Sequence, residues 1–243
     1  MIPYWEAPLW DVGGYLIYPP IFLIGFAVLL GHFLLLRRAG RKGLSVPVAG
    51  KFSAALIVGG FFAAHAHKYF YVEGGWAAVW QHPQLLLQVW SGLASLGGIL
   101  GGIAAGLAAL WWQKIPRKSV VQYFDALAFV FPQAWIFGRM HCAWVHDHPG
   151  IRTSSWLGVQ YPRYPRYDLG ILEVLYLAVV IAWFYWLDRK PRAAGFYVVA
   201  FLVPYGCFRL WLDTLHVSVV RYAGLSVDQW SSLAAIGAGV FLA

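Results

Sequence analysis

Charged residues are scarce in this chain of 243 amino acids, because Asp, Glu, Lys and Arg together make up 12% of it while apolar residues make up 60%. Soluble globular domains carry roughly 25% charged residues, so the composition excludes a disordered chain and argues against an ordinary soluble domain. Cysteine is equally scarce. The two cysteines present cannot build a disulfide scaffold or a cysteine-based four-ligand zinc site.

Long apolar runs recur along the whole chain, and each approaches the roughly 20 helical residues that cross a hydrocarbon layer about 30 Å thick. The sequence therefore predicts an all-α polytopic membrane protein, with seven transmembrane helices in a single integral membrane domain over residues 1–243. Seven crossings place the two termini on opposite sides of the membrane. The predicted spans are 15–36, 52–72, 88–112, 123–145, 169–187, 195–215 and 225–243.

The basic residues predict the orientation of these helices. Lys and Arg outnumber Asp and Glu by 18 to 10, a balance that would also fit a nucleic-acid-binding protein. Most of the Lys and Arg residues, however, fall in the loops after the first, third and fifth predicted spans, and basic loops stay cytoplasmic. We therefore expect an outward N-terminus, a cytoplasmic C-terminus and no nucleic-acid partner.

Three basic residues, Lys68, Arg139 and Arg209, fall inside predicted spans and in the outer half of the bilayer. An intramembrane charge costs at least a few kcal/mol and usually faces a cavity or a partner. The carboxylates Glu173 and Asp213 could neutralise these cations and tie helices together. Because two acids face three cations, the sequence favours uncompensated positive charge that binds a negatively charged ligand.

The densest polar segment leaves the fourth predicted span and enters the longest outward loop. Arg139 and Cys142 are three residues apart and share a helix face, and His146, Asp147 and His148 follow at the mouth. A histidine beside a carboxylate suits a general base, since its pKa lies near neutrality. Metal binding and ordinary interfacial hydrogen bonding remain alternatives. With no further ligand visible in the sequence, we predict neither a metal site nor a cofactor.

Sequence blocks from Tyr18 to residue 232 resemble, in order and spacing, motifs of the prolipoprotein diacylglyceryl transferase family. The matching blocks are Tyr18 with Gly25-Phe26, Ser91 to Gly98, Gly138-Arg139-x-x-Cys142 through Gly150, Arg166 to Glu173, Arg209-x-x-x-Asp213, and Gly224-Leu225-Ser226 with Gln229. They look like the family's first-span Tyr-Gly block, its Gly-Gly-x-x-Ser-His-Gly-Gly element, its Gly-Arg-x-x-Asn/Cys signature, its Arg-His-Pro-x-x-Leu-Tyr-Glu block and its late Arg-Phe-x-x-Glu.

The resemblance implies a seven-span enzyme of the bacterial inner membrane whose active site faces the periplasm. It implies transfer of the diacylglyceryl group of phosphatidylglycerol to the lipobox cysteine thiol of a preprolipoprotein, with the signal peptide and membrane lipid as partners. Arg139 and Arg209 would then bind the headgroup phosphate, since arginine offers always-charged, bidentate donors. The other residues expected to bind or orient substrate are Tyr18, Arg166, Glu173, Cys142, Gly150 and Asp213.

The chain departs from the family pattern at the position before its Gly-Gly pair, where Leu96 replaces a histidine. Leucine cannot take a proton, so the candidates for the base that deprotonates the substrate thiol are His146, His148 and Asp147, and we expect one of the two histidines to act. Two other functions stay open. One is a non-catalytic protein that binds anionic lipid on the same scaffold, and the other is an anion channel or transporter.

Overall fold

The computed structural model of the protein describes residues 1–71, 75–88, 92–217 and 220–243, with residues 15–17 described by their backbone alone. Helices dominate these ranges. The α-helices are α1 (Ile21–Arg41), α2 (Val46–His67), α3 (Gly75–Gln81), α4 (Ser95–Trp112), α5 (Arg117–Val145), α6 (Leu169–Leu187), α7 (Phe196–Asp213) and α8 (Val227–Leu242). Two short 3₁₀ helices, Lys68–Phe70 and Pro83–Leu87, flank α3.

Short strands join the helices at one end of the bundle. They are β1 (Ile2–Pro3), β2 (Trp10–Val12), β3 (Tyr15–Ile17), β4 (Pro149–Arg152), β5 (Val159–Gln160), β6 (Pro165–Asp168), β7 (Arg221–Tyr222) and β8 (Leu225–Ser226). β1, β5, β6 and β4 pair in that order in one small sheet, and β2–β3 and β7–β8 form separate two-stranded ribbons. The parallel pairing of β1 with β5 holds the N-terminal segment against the loop between α5 and α6.

Each predicted span corresponds to a helix, and in the described residues six helices are long and apolar enough to cross a membrane. Those six are α1, α2 extended to Phe70, α4, α5, α6 and α7. The seventh helix, α8, has 16 residues. The chain is therefore a multi-pass membrane protein in its helical architecture.

Four helices begin six or seven residues away from the start of the predicted span, and two of them begin earlier: α2 at Val46 rather than at residue 52, and α5 at Arg117 rather than at residue 123. The first helix begins at Ile21 rather than at residue 15, because Pro19 and Pro20 end the β2–β3 ribbon and proline is tolerated at a helix start but not in its interior. The third long helix begins at Ser95 rather than at residue 88. Part of that predicted start, residues 89–91 with Ser91, lies outside the described residues.

Glycines bring α2 and α4 into close contact. A Cβ atom added at Gly97 would lie 2.1 Å from the His67 Cβ, and one added at Gly101 would lie 2.0 Å from the Ala63 Cβ. Small residues at such a crossing let two membrane helices approach until their backbones touch. The small-residue spacing on α4 therefore serves helix packing.

Large apolar side chains cover the outside of the bundle. Trp80, Trp112 and Phe241 are more than 80% exposed, and every long helix carries at least one exposed large apolar side chain. A soluble monomer rarely carries apolar surface on this scale. Hydrocarbon chains of a bilayer would cover it without the cost that water imposes.

Candidate functional site

Three charged side chains from three helices meet near one end of the bundle. Arg139 lies in the last two turns of α5, Glu173 in the second turn of α6 and Arg209 in the last two turns of α7. The Arg139 Nε is 2.9 Å from the Glu173 Oε1, and the Arg209 Nη1 is 3.2 Å from the Glu173 Oε2. One carboxylate thus bridges two guanidinium groups that are far apart in sequence. We call Arg139, Glu173 and Arg209 the arginine pair site.

Glu173 is 1% exposed and is held by four side chains. Besides the two arginines, the Tyr205 hydroxyl donates to its Oε1 at 2.6 Å and the Trp135 Nε1 donates to the same oxygen at 3.2 Å. A buried carboxylate is tolerated only when it is paired and its lone pairs are satisfied. The packing of α5, α6 and α7 therefore holds the side chains of the site in place.

Arg209 has a second carboxylate partner, Asp228 of α8. The Arg209 Nη2 donates to the Asp228 Oδ2 at 2.7 Å, while the Tyr71 hydroxyl donates to the Asp228 Oδ1 at 3.1 Å. The expectation of uncompensated positive charge is therefore wrong, because Glu173 and Asp228 balance Arg139 and Arg209. Asp228 was missed at the sequence level, although an acid inside the seventh predicted span was the signal that could have found it.

Asp213 does not pair with Arg209, although the two share a face of α7. Asp213 is 2% exposed, and its Oδ2 accepts from the hydroxyl of Ser226. Ser226 in turn caps α8, with its hydroxyl accepting from the Gln229 backbone N–H at 3.0 Å. Asp213 therefore ties the end of α7 to the start of α8. The expected neutralisation of Arg209 by Asp213 is not observed, because Arg209 pairs with Glu173 of α6 and Asp228 of α8.

His146 is buried rather than open at the mouth. It has a left-handed backbone (φ 54°) that ends α5, and its Nδ1 is 2.6 Å from the Asp168 Oδ2. Tyr4 and Trp5 of the N-terminal segment pack on its ring, with centroid separations of 4.8 Å and 4.4 Å. The expectation of an accessible His146 at the mouth is therefore wrong. The cover comes from residues more than a hundred positions away, which β1 brings close.

Asp168 organises the corner between α5 and α6. Its Oδ1 accepts from the Ile171 N–H at 3.0 Å and so caps α6, while its Oδ2 also accepts from the Tyr161 hydroxyl at 2.8 Å. Burial, reinforced by the Asp168 charge, raises the pKa of Tyr161 well above its usual range, so the phenol stays protonated and keeps donating. His146 and Tyr161 are thus fixed by one carboxylate.

Cys142, Asp147 and His148 come together just above the arginine pair site. Their sulfur, oxygen and nitrogen atoms lie within 4.8 Å of one another. The Arg139 Nη1 is 3.9 Å from the Cys142 Sγ, so this cluster adjoins the arginine pair site directly. His148 and Asp147 are the accessible members, with 36% and 42% of their side chains exposed.

The remaining predicted site residues lie in two places, the loop between α5 and α6 and the segment before α1. The Arg166 Nη1 donates to the Gly150 carbonyl at 3.1 Å, so both belong to the loop that closes the mouth. A Cβ at Gly150 would lie 3.0 Å from the Leu215 carbonyl, and this close approach joins β4 to the end of α7. Tyr18 lies half-buried before α1, and in the described residues no hydrogen bond joins its side chain to Glu173 or the two arginines.

An apolar cavity of about 400 Å³ lies between α5 and α6. Its wall is formed by side chains of these two helices, including Met140 and Val174, and by Trp5 of the N-terminal segment. The wall is almost entirely apolar, which suits a hydrocarbon chain rather than a polar ligand.

Comparison with known proteins gives one consistent result. Residues 12–243 match the family model described as "Prolipoprotein diacylglyceryl transferase". The chain is 28% identical over 222 residues to a phosphatidylglycerol–prolipoprotein diacylglyceryl transferase of Roseobacter denitrificans, covering 81% of this chain and 73% of that protein. It is 28% identical over 235 residues to the protein of the same name in Nostoc sp., with 90% and 81% covered. The protein of that name in Thermosynechococcus vestitus is 26% identical over 230 residues, with 89% and 84% covered.

Proposed function

The chain belongs to the prolipoprotein diacylglyceryl transferase family, and we propose that it transfers the diacylglyceryl group of phosphatidylglycerol to the lipobox cysteine thiol of a preprolipoprotein. The observation that carries the proposal is the convergence of Arg139 and Arg209, from different helices, on the buried Glu173. Both arginines lie in blocks that resemble family motifs. The position of the three residues near the ends of α5, α6 and α7 supports contact with a lipid headgroup.

The two arginines bind the phosphate of phosphatidylglycerol. Each guanidinium carries five N–H donors. The contacts seen among the described residues use Nε and Nη1 of Arg139 and both Nη atoms of Arg209, and we assign the phosphate oxygens to the two other nitrogens, Arg139 Nη2 and Arg209 Nε. Glu173 and Tyr205 orient the arginines from behind. Although the site is not a net positive pocket, it offers directed donors from two sides.

The reaction is a displacement at carbon. The lipobox sulfur forms a bond to the terminal glyceryl carbon of the diacylglyceryl group while the bond between that carbon and the phosphate oxygen breaks. The electron pair of the broken bond leaves with glycerol phosphate, and the arginines stabilise the developing charge on the leaving oxygen. The thiol must first lose its proton, because the thiolate is the nucleophile.

The segment with His146 and His148 supplies the activation of the thiol. Of the two, His148 is accessible from the mouth, whereas His146 lies beneath Tyr4 and Trp5 with its Nδ1 engaged by Asp168. His148 therefore approaches the substrate, and His146 holds the turn that presents it. The other predicted residues act around this centre: Cys142 lines the thiol position, Arg166 and Gly150 shape the loop, Asp213 anchors α8, and Tyr18 borders the lipid entrance.

The apolar cavity between α5 and α6 receives an acyl chain of the bound lipid. Its wall residues Met140 and Val174 lie at the level of Arg139 and Glu173, because neighbouring residues of a helix are about 1.5 Å apart along its axis, and this common level supports a headgroup at the arginines. We assign the bundle seven crossings, with α8 as the seventh, and place the site at the periplasmic face of the inner membrane. The distribution of Lys and Arg between loops supports this orientation.

Purified full-length protein in detergent tests the proposal directly. Incubation with phosphatidylglycerol and a lipobox peptide should increase the peptide mass by one diacylglyceryl group and release glycerol phosphate. A peptide with serine in place of the lipobox cysteine should stay unmodified, as should reactions supplied with phosphatidylcholine. Binding of anionic lipid without modification of any cysteine peptide would instead support the non-catalytic alternative.

A further inference from the structure

The turn after α5 brings three different ligand atoms together. α5 ends at Val145, and the left-handed conformation of His146 reverses the chain there. Asp147 and His148 consequently fold back over the last helical turn, which carries Cys142. In the sequence, the His-Asp-His run has no further metal ligand beside it. The chain reversal brings Cys142 close to Asp147 and His148, which the sequence spacing alone does not reveal.

The three atoms have the spacing and chemistry of an ion-binding site. All lie within 4.8 Å of one another, whereas ligands of a tetrahedral Zn²⁺ ion, at bonds of about 2.0–2.3 Å, stand roughly 3.5 Å apart. Closing that difference needs about 1 Å of side-chain movement, which the partly exposed Asp147 and His148 allow. Thiolate, imidazole and carboxylate together favour Zn²⁺ over Mg²⁺ or Ca²⁺, which prefer oxygen ligands alone.

A second histidine borders this cluster from another helix. The ring of His216, just after α7, lies 6.1 Å from the ring of His148, and its buried Nδ1 has no hydrogen-bond partner among the described residues. Backbone pairing between Gly150 and His216 fixes this approach. Buried polar atoms are normally hydrogen-bonded, so the unpaired His216 Nδ1 leaves one imidazole nitrogen near the cluster without a partner among the described residues.

We propose that Cys142, Asp147 and His148 bind one divalent transition-metal ion of the Zn²⁺ class. Three protein ligands leave a coordination position open, as in catalytic rather than structural zinc sites. The 3.9 Å contact between Arg139 Nη1 and Cys142 Sγ places the ion next to the arginine pair site. Nothing else in the molecule joins a soft-metal ligand set to the predicted phosphate site among the residues described.

The role of the ion in the reaction rests on the proposed function. In that reaction, the open coordination position receives the substrate thiol. A thiol bound to Zn²⁺ is deprotonated, and its proton passes to water at the mouth. The metal-bound thiolate then forms the bond to the glyceryl carbon as the bond from that carbon to the phosphate oxygen breaks, and the electron pair leaves with glycerol phosphate. The ion thus performs the deprotonation that Leu96 cannot, with His148 acting as its ligand.

Cobalt binding tests the site without relying on activity. Full-length protein in detergent, stripped of metal with a chelator, is titrated with Co²⁺ and followed by thiolate-to-cobalt charge-transfer absorption. We expect saturation at one Co²⁺ per chain and displacement by Zn²⁺. Cys142→Ser should abolish the absorption band, and His148→Ala or Asp147→Asn should weaken binding by more than about 100-fold, beyond the cost of losing an outer-shell partner.

Cys207→Ser is the matched control, because Cys207 is the other free cysteine and is exposed on α7. That variant should retain the band and the affinity. Asp147→Asn changes an exposed side chain and keeps the test valid if Cys142→Ser folds poorly. Absence of saturable binding, or a band unaffected by Cys142→Ser, would overturn the metal site.

Measuring diacylglyceryl transfer alongside Co²⁺ binding distinguishes failure of the metal site from failure of the proposed enzymatic function. Stoichiometric Co²⁺ binding with no diacylglyceryl transfer in the metal-loaded protein would leave the metal site standing and overturn the proposed function. Full transfer by protein verified as metal-free would overturn the role of the ion in activating the thiol. Loss of transfer on metal removal and its recovery with Zn²⁺ support both.

Discussion

At the scale of single residues, Glu173 determines how the two arginines are presented. It accepts from groups on α5 and α7 at once, and both of its oxygens are engaged. Removing one member of a buried ion pair is costly because the remaining charge stays buried without a partner. Glu173 is therefore the residue whose loss should affect the fold and the phosphate site together.

Glu173→Gln should destabilise the protein by about 3–5 kcal/mol, since it leaves two facing guanidinium groups with one carboxylate fewer. Tyr205→Phe should cost less, about 1.5–3 kcal/mol, because it removes one hydrogen bond to a charged group. Thermal unfolding in detergent measures both. Glu6→Gln, a change at an exposed acid, is the control and should leave the midpoint unchanged. Equal midpoints for Glu173→Gln and Glu6→Gln would contradict the bridging role.

Asp188 at the opposite end of the bundle makes stability depend on acid pH. A hydrogen bond from Arg38, followed by one from Tyr197, lowers the pKa of Asp188 from 3.8 to about 2. Since the folded pKa is the lower one, the stabilisation is complete above pH 3.8 and is lost as the pH falls toward about 2. The stability difference between wild type and Asp188→Asn should therefore shrink across that window. A difference that stays constant would contradict the pairing.

At the scale of elements, two kinds of helix contact build the bundle. α2 and α4 meet backbone to backbone through glycines, whereas large side chains fill much of the contact of α5 with α6 and α7, with a close approach at Gly170. The contact between α2 and α4 needs small residues at fixed positions, and glycines spaced four residues apart in the sequence indicate it. The second depends on how each helix is rotated, which apolar periodicity does not specify when a helix is apolar all round.

Gly101→Ala should lower stability by about 1–3 kcal/mol, the usual cost of overpacking. The new Cβ would lie 2.0 Å from the Ala63 Cβ and 2.9 Å from the Gly59 carbonyl, so α4 must move away from α2. Gly25→Ala on α1 is the matched control, because no heavy atom lies within 4 Å of its added Cβ. The control should be neutral or stabilising by up to about 1 kcal/mol through helix propensity. Similar thermal midpoints for the two variants would refute close packing at Gly101.

The sequence could predict the parts of the site that depend on a single helix, but not those that depend on how the helices pack against one another. The helices of Arg139, Glu173 and Arg209 follow from long apolar runs, and their common level follows from counting residues along each run. Their actual partners do not, because Asp228 reaches Arg209 only through the packing of α8 on α7. His146 was placed correctly at the end of its helix, but its cover depends on the N-terminal strand pairing with β5, a contact between distant segments.

At the scale of the whole molecule, the unequal distribution of charge between the two ends of the bundle supports the proposed membrane orientation. The ends of the bundle differ, because the arginine pair site and the short strands occupy one end while Arg38, Lys42 and Asp188 occupy the other. Arg38 also lies over the Phe129 ring, 3.7 Å from its centroid, and so packs as well as pairs. The basic end matches the cytoplasmic side under the positive-inside rule.

A reporter fused to the C-terminus tests this orientation and the seventh crossing. With an outward N-terminus and α8 crossing the membrane, green fluorescent protein at the C-terminus should fluoresce, whereas alkaline phosphatase there should stay inactive. The same reporters fused after α7, at Leu215, should give the reverse result. Active phosphatase at the C-terminus would show that α8 does not cross or that the bundle is inverted.

The rate of diacylglyceryl transfer by arginine variants tests directly whether Arg139 and Arg209 bind the phosphate of the lipid. The rate of lipobox-peptide modification with phosphatidylglycerol is measured by mass spectrometry for Arg139→Lys, Arg209→Lys and, as a control in the exposed loop, Arg163→Lys. Lysine keeps the charge but lacks the fork of donors, so both site variants should lose at least about 100-fold in rate, the effect of removing one donor to a developing oxyanion. Arg163→Lys should retain the wild-type rate. Wild-type rates in both site variants would contradict phosphate binding by the arginine pair site.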